Sequence, residues 1–157
     1  ISQDEGPELE FKSSLRWDIK KQEIVDYLEH PVLKTLAAFL NTHGGTLIIG
    51  LGDEGEVLGL EKDYQSFSRK PNRDGFQLHL MEIIANNLGE QSCQLTGIHF
   101  ENIDGRDLCL ITVRPSSEPV FMSKKKDFFI RRGNSTRELP PDEMVKYCMR
   151  HWAVNSE

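Results

Sequence analysis

The run from Pro31 to Gly52, PVLKTLAAFLNTHGGTLIIGLG, constrains the fold more than any other stretch of the sequence. Val32, Leu33, Leu36, Ala37, Phe39 and Leu40 form a wide apolar face at helical spacing, behind a proline suited to a first helical turn. The pair Gly44-Gly45 ends that helix, and Leu47, Ile48 and Ile49 follow as a short apolar run of strand length. A turn at Asp53-Glu54-Gly55 and a return through Val57 and Leu58 read as a hairpin. In NTHGG, Asn41 and Thr42 read as a helix cap. The G-x-x-x-x-G-K-[ST] pattern of a P-loop is absent.

Elements of both periods flank this core. Upstream, Leu9 and Phe11 alternate with Glu8, Glu10 and Lys12, which predicts a strand. The stretch Asp18 to Leu28 carries only a weak helical stripe and reads as a loop with a short helix. Downstream, Asp74 to Leu88 predicts an amphipathic helix ending near Gly89. The period then changes to two, with strands at about 95–103, 107–113, 120–122 and 127–132, and a last helix follows at about 141–152. This order predicts an α/β (α+β) fold with helices packed on a central mixed, largely antiparallel sheet.

A length of 157 residues fits one domain, residues 1–157, and 38% hydrophobic with 28% charged residues is ordinary for a soluble globular chain. No apolar run approaches the roughly 20 residues of a membrane span, so the expectation is a soluble, cytoplasmic protein with no membrane partner. Opening on Ile1 rather than Met suggests a segment of a longer multidomain protein. Cys93, Cys109 and Cys148 are odd in number and lack a C-x-x-C pair, which indicates buried thiols rather than disulfides or a zinc ribbon.

Two patterns carry chemistry. In EGPELEFKSSL, Glu10 and Lys12 share a strand face, Glu5 lies just upstream, and Asp53 follows the LIIGLG strand. If folding gathers Glu5, Glu10 and Asp53, their repulsion calls for a hard divalent cation such as Mg²⁺ or Mn²⁺. Lys12 has the spacing of the E-x-K element of restriction-type nucleases, where a lysine steadies the attacking water or the developing charge. The alternative is that these charges are the wet face of an edge strand, where they discourage aggregation.

The second pattern is charge segregation. The chain carries −6 overall, but residues 114–137 hold seven Lys and Arg against two acids, a net +5 that leaves −11 elsewhere. Lys124, Lys125, Lys126, Arg131, Arg132 and Arg137 interleave with Phe121, Phe128 and Phe129, the pattern of a phosphate-binding segment.

Three stretches together, EGPELEFKSSL, AAFLNTHGGTLIIGLGDEGEVLGL and FFIRRGNSTREL, resemble the Schlafen/AlbA-type domain, labelled DNA-binding in bacterial proteins. The resemblance spans roughly Glu5 to Trp152. It implies an α/β fold with a central sheet, found in bacterial multidomain proteins and as two related lobes in animal Schlafen cores. Those lobes form a horseshoe with a basic groove, which implies a homodimer here. In nuclease members three acids form a metal-dependent site that cleaves tRNA and other structured RNA, and Glu5, Glu10 and Asp53 match those positions. Gly6 departs from the family's usual Ser, and the cysteine and histidine metal set of animal relatives has no counterpart. The resemblance therefore supports binding better than turnover.

The expectation is a nucleic-acid-binding domain, for RNA or DNA, with a divalent-metal-dependent endoribonuclease site as its enzymatic form. The alternatives are a non-catalytic DNA-binding regulatory module, and an oligomerisation or protein-interaction scaffold.

Overall fold

The apolar stripe behind Pro31 folds into α1, Glu29–Leu40, in which every residue from Val32 to Leu40 except Lys34 is buried. This computed structural model describes residues 5–153. In chain order, β1 (Leu9–Lys12) is followed by the two-residue strands β2 (Trp17–Asp18) and β3 (Glu23–Ile24), a 3-10 turn (Asp26–Leu28) and α1. Next come β4 (Gly45–Ile49), the short helix α2 (Glu61–Gln65), the long α3 (Arg73–Leu88) and the short α4 (Glu90–Gln94). The chain continues through β5 (Thr96–Ile103), β6 (Arg106–Val113), β7 (Phe129–Arg132), β8 (Ser135–Glu138) and α5 (Pro141–His151).

The central sheet has the order β1-β4-β6-β5. β1 runs parallel to β4, and the other two pairings are antiparallel, so the sheet is mixed and largely antiparallel as the element order predicts. A parallel pair needs a crossover, and α1 lies within the connection that supplies it.

Register and pleat divide the sheet into two faces. Glu10, Leu47, Ile111 and Ile98 align across the strands, as do Lys12, Ile49, Cys109 and Phe100. Leu47, Ile49, Cys109 and Ile111 belong to the main core with α1 and α3, where Phe39, Leu36, Phe76 and Leu80 are fully enclosed. The opposite face carries a smaller cluster of Phe11, Ile48, Leu51 and Leu108. Phe128, Ile130 and Leu139 of the β7–β8 hairpin region form a third, packed against Tyr147 and Trp152.

The NTHGG segment joins these layers. The Asn41 side chain is fully buried, and its amide donates to the carbonyls of Val120 and Phe129, both at 2.9 Å, while its oxygen accepts the Val120 N–H at 2.9 Å. Thr42 Oγ1 accepts the Arg131 N–H at 2.9 Å, and the Tyr147 hydroxyl donates to the Asn41 carbonyl. Asn41 and Thr42 thus bind distant backbone rather than merely capping α1. Gly44 takes φ +76, and a β-carbon on Gly45 would stand 2.7 Å from the Phe39 ring, so both glycines are required where helix turns into strand.

The structure departs from the sequence pattern in four places. In residues 17–28 the expected short helix is the 3-10 turn Asp26–Leu28, but the stretch before it, expected as loop, holds the β2–β3 pair. The expected return is one antiparallel bridge long, Leu51 to Val57, flanked by the Gly52 N–H donating to the Glu56 carbonyl and the Leu58 N–H donating to the Gly50 carbonyl, and is not a full strand. Residues 120–122 form no strand because the Asn41 amide occupies the Val120 N–H and carbonyl, and Met122 makes only one bridge, to Asp127. The short helices α2 and α4 and the strand β8 were not legible in the periodicity. In α2, Asp63 is a buried carboxylate that accepts hydrogen bonds from the Ser14 hydroxyl and the Leu15 and Arg16 N–H groups. Burial outweighs those bonds and pushes its carboxyl above the ordinary value.

Replacing Asn41 by Ala removes the partner of the buried Phe129 carbonyl and of the part-buried Val120 N–H and carbonyl at once. Urea unfolding of Asn41→Ala is expected to show a loss of roughly 2–4 kcal/mol. A loss within about 0.5 kcal/mol of wild type would remove the clamp from the account.

Candidate nucleic-acid interface

Strand β1 is an edge strand, yet Glu10 and Lys12 lie on the face it turns toward the helices. A carboxylate and a cation there need partners, and the principal one arrives from β7. The Arg131 side chain is only 1% exposed. One terminal nitrogen donates to Glu10 Oε1 at 2.7 Å, to the Gly6 carbonyl at 2.9 Å and to the Leu9 carbonyl at 3.2 Å. Its Nε also reaches the Gly6 carbonyl at 3.3 Å, and the other terminal nitrogen donates to Thr136 Oγ1 at 3.3 Å. The guanidinium carbon lies 5.2 Å from the centroid of the Phe39 ring. A planar fork of fixed donors suits this set, which a lysine could not span.

Lys12 Nζ sits 3.4 Å from Glu10 Oε2, so both Glu10 oxygens already face a cation. Glu5 Oε1 accepts the Phe11 N–H at 3.1 Å, and the Glu5 carboxyl is within hydrogen-bonding reach of Glu10. Burial, then the hydrogen bond and negative charge of Glu10, raise the Glu5 carboxyl above its ordinary value, against the pull of the Phe11 N–H and Lys12. Glu8 is exposed and stands apart.

The expected convergence of three acids is therefore only two-thirds realised. Glu5 and Glu10 meet, but Asp53 is exposed in the turn that leaves the sheet beyond Leu51. Among the described residues no group of three or more His, Cys, Asp or Glu side chains could hold a metal ion. The donor set does not match a three-carboxylate Mg²⁺ or Mn²⁺ site, because Arg131 and Lys12 supply the positive charge that such an ion would bring.

The basic segment does not form one ledge either. Phe129, Arg131, Thr136 and Glu138 share one face of the β7–β8 hairpin, and Ile130, Arg132, Ser135 and Arg137 share the other. The first face closes on α1 and β1, where Glu10, Lys12, Lys34, Phe129, Arg131 and Thr136 line an open groove of about 290 Å³. The second faces α5, where Arg132, Lys146 and Arg150 line a shallow hollow of about 170 Å³ together with Glu143. Arg137 is paired with Glu143 at 3.3 Å. Lys124, Lys125 and Lys126 are exposed in a separate turn, and Lys124 and Lys126 border a third groove.

Arg131 is thus a structural residue and Arg132 a surface one, although they are neighbours in sequence. Lys34, Lys146 and Arg150 escaped the sequence reading because they lie outside the basic run. The alternation of β7 was the available signal for Arg131 and Arg132, and the helical spacing of Lys146 and Arg150 was the signal for α5.

The family model described as Schlafen, AlbA_2 matches residues 5–140 of this chain, and the match points to nucleic-acid binding. The fold is similar to that of the DIP2311 protein from Corynebacterium diphtheriae, with TM-score 0.61 and 18% identity, over 94% of this chain and 25% of that one. The chain thus spans about a quarter of the length of that protein. It also aligns with the N-terminal domain of an ATP-dependent DNA helicase RecG-related protein from Nitrosomonas europaea, with TM-score 0.46 and 20% identity, over 87% of this chain and 84% of that domain. Among the described residues no helix is long and apolar enough to cross a membrane.

Truncating Arg131 to Met leaves Glu10 and two carbonyls without their donor. Urea unfolding is expected to show a loss of about 3–5 kcal/mol for Arg131→Met and only partial recovery in Arg131→Lys. Arg132→Gln should stay within about 0.5 kcal/mol of wild type. Equal effects at both positions would contradict the inward and outward assignment.

Proposed function

This chain belongs to the Schlafen, AlbA_2 family, and from that premise we propose that it is a non-catalytic module that binds the phosphate backbone of RNA or DNA through the outer face of β7, β8 and α5. The observation that carries this reading is the grouping of Arg132, Lys146 and Arg150 around one hollow, all three exposed and with Arg137 nearby. Guanidinium and ammonium groups on a rigid surface exchange condensed counterions for phosphate contacts. The binding they give is steeply dependent on salt and weakly dependent on sequence. The overall charge of −6 opposes such binding at a distance, but a Debye length of ~8–10 Å confines that opposition in physiological salt.

A second reading is metal-dependent cleavage of structured RNA by Glu5, Glu10 and Asp53 with Lys12. The meeting of Glu5 with Glu10 favours it. The double neutralisation of Glu10 and the position of Asp53 weigh against it.

Fluorescence anisotropy with a labelled tRNA and a labelled DNA duplex, over a salt series, separates these readings. The triple variant Arg132→Gln/Lys146→Gln/Arg150→Gln is expected to bind at least roughly tenfold more weakly and to lower the slope of log K against log salt by about 2–3. Unchanged affinity and slope would remove this face from the reading. The tRNA should stay intact with Mg²⁺ or Mn²⁺. Cleavage that disappears in Glu5→Gln and in Asp53→Ala would overturn the non-catalytic reading in favour of the second.

A further inference from the structure

A broad groove of the molecule has no residue of β1 or α5 in its lining. It has a volume of about 870 Å³ and runs between the end of α3, the start of α4 and the segment 114–126. Its walls are mainly polar, and it is too open to enclose a small metabolite. At one end Phe121 is 37% exposed and rests against Phe128, with ring centroids 5.6 Å apart. An aromatic ring held from behind and partly open in front is a platform for a flat partner.

The turn that carries the neighbouring lysines is held in place. Residues 123–126 form a turn closed by the Met122 N–H donating to the Asp127 carbonyl at 2.8 Å and the reverse bond at 3.3 Å. Ser123 and Lys126 take φ of 54 and 59, the left-handed region that non-glycine residues enter only when the surroundings hold them there. The Ser123 N–H donates to the Asn87 carbonyl at 2.8 Å, which fixes the turn against the end of α3. The backbone that carries Lys124 and Lys126 is therefore fixed, both lysines line the groove with Phe121, and the exposed amides of Asn86 and Gln91 line it too.

We propose that this groove takes a short single-stranded stretch of nucleic acid, with one base stacked on Phe121 and the adjoining phosphates on Lys124 and Lys126. Stacking on an aromatic ring beside cations is how proteins hold single strands with little regard to sequence. A duplex has no free base to offer, because its bases are stacked on one another. Glu90 and Glu118 also line the groove, so its charge is modest and the stacked base contributes much of the preference. The assignment rests on nucleic-acid binding as proposed above, but it uses residues separate from the Arg132, Lys146 and Arg150 hollow.

The test compares wild type with Phe121→Leu, which keeps an apolar side chain and removes the aromatic face, and with Lys124→Gln/Lys126→Gln. Each is titrated with a single-stranded oligonucleotide carrying 2-aminopurine and with a labelled duplex. For Phe121→Leu we expect roughly tenfold weaker single-strand binding, loss of the stacking quench of 2-aminopurine, unchanged duplex affinity and an unchanged salt slope. The lysine variant should lower the single-strand salt slope. A Phe121→Leu protein of wild-type melting temperature that binds and quenches the single strand as wild type does would overturn the proposal. In that case, weakened duplex and tRNA binding by the Arg132, Lys146 and Arg150 variant would leave the backbone-binding reading standing. Absence of binding to any nucleic acid by wild type would overturn both.

Discussion

A guanidinium buried between the edge of a sheet and a separate hairpin must find a partner for nearly every donor, and Arg131 does so. Its bonds to Glu10, Gly6, Leu9 and Thr136 tie the segment leading into β1 to the β7–β8 hairpin, which shares no strand pairing with the central sheet. The position of the hairpin in turn fixes which bases face solvent. Because Arg131 points inward, Arg132 and Arg137 point outward toward α5. One buried ion pair thereby sets the orientation of the surface that would meet a polyanion. Buried pairs of this kind contribute orientation more dependably than they contribute stability.

The same geometry bears on the acids. Glu10 is enclosed by Arg131 on one oxygen and by Lys12 on the other. Glu5 leans on it with a carboxyl whose proton is held more tightly than usual, chiefly through burial. A cation-filled corner of this sort is electrostatically complete without a metal ion. The turn that carries Asp53 leaves from Leu51, whose N–H donates to the Lys12 carbonyl at the end of β1, but the Asp53 side chain is exposed and does not complete a group of three acids with Glu5 and Glu10.

The elements with a strong period were legible from the residues: α1, α3, α5, β1, β4, β5 and β6 all fall close to their expected places. The mixed, largely antiparallel sheet followed from their order. What escaped the sequence were bonds between distant parts of the chain. Asn41 has the composition of a helix cap, and only the fold reveals that its amide substitutes for a strand partner of Val120. The basic run was visible as a run, but its division among three surfaces depends on strand alternation and on helix α5, which brings Lys146 and Arg150 from outside it. The approach of Glu5 to Glu10 was foreseeable because Glu5 lies just upstream of β1. The position of Asp53 required knowing where a loop goes, and the spacing of acids in a sequence does not hold that information.

The central claim is that the Arg131 guanidinium is an internal strut and not a phosphate ligand. Hydrogen exchange of the Arg131 side-chain N–H groups, followed by ¹⁵N NMR with and without a saturating nucleic acid, reads this directly. The account predicts slow exchange and a resonance that stays in place when nucleic acid is added, while the signals of Arg132 move. Fast exchange in the free protein, with a shift of Arg131 on binding, would contradict it.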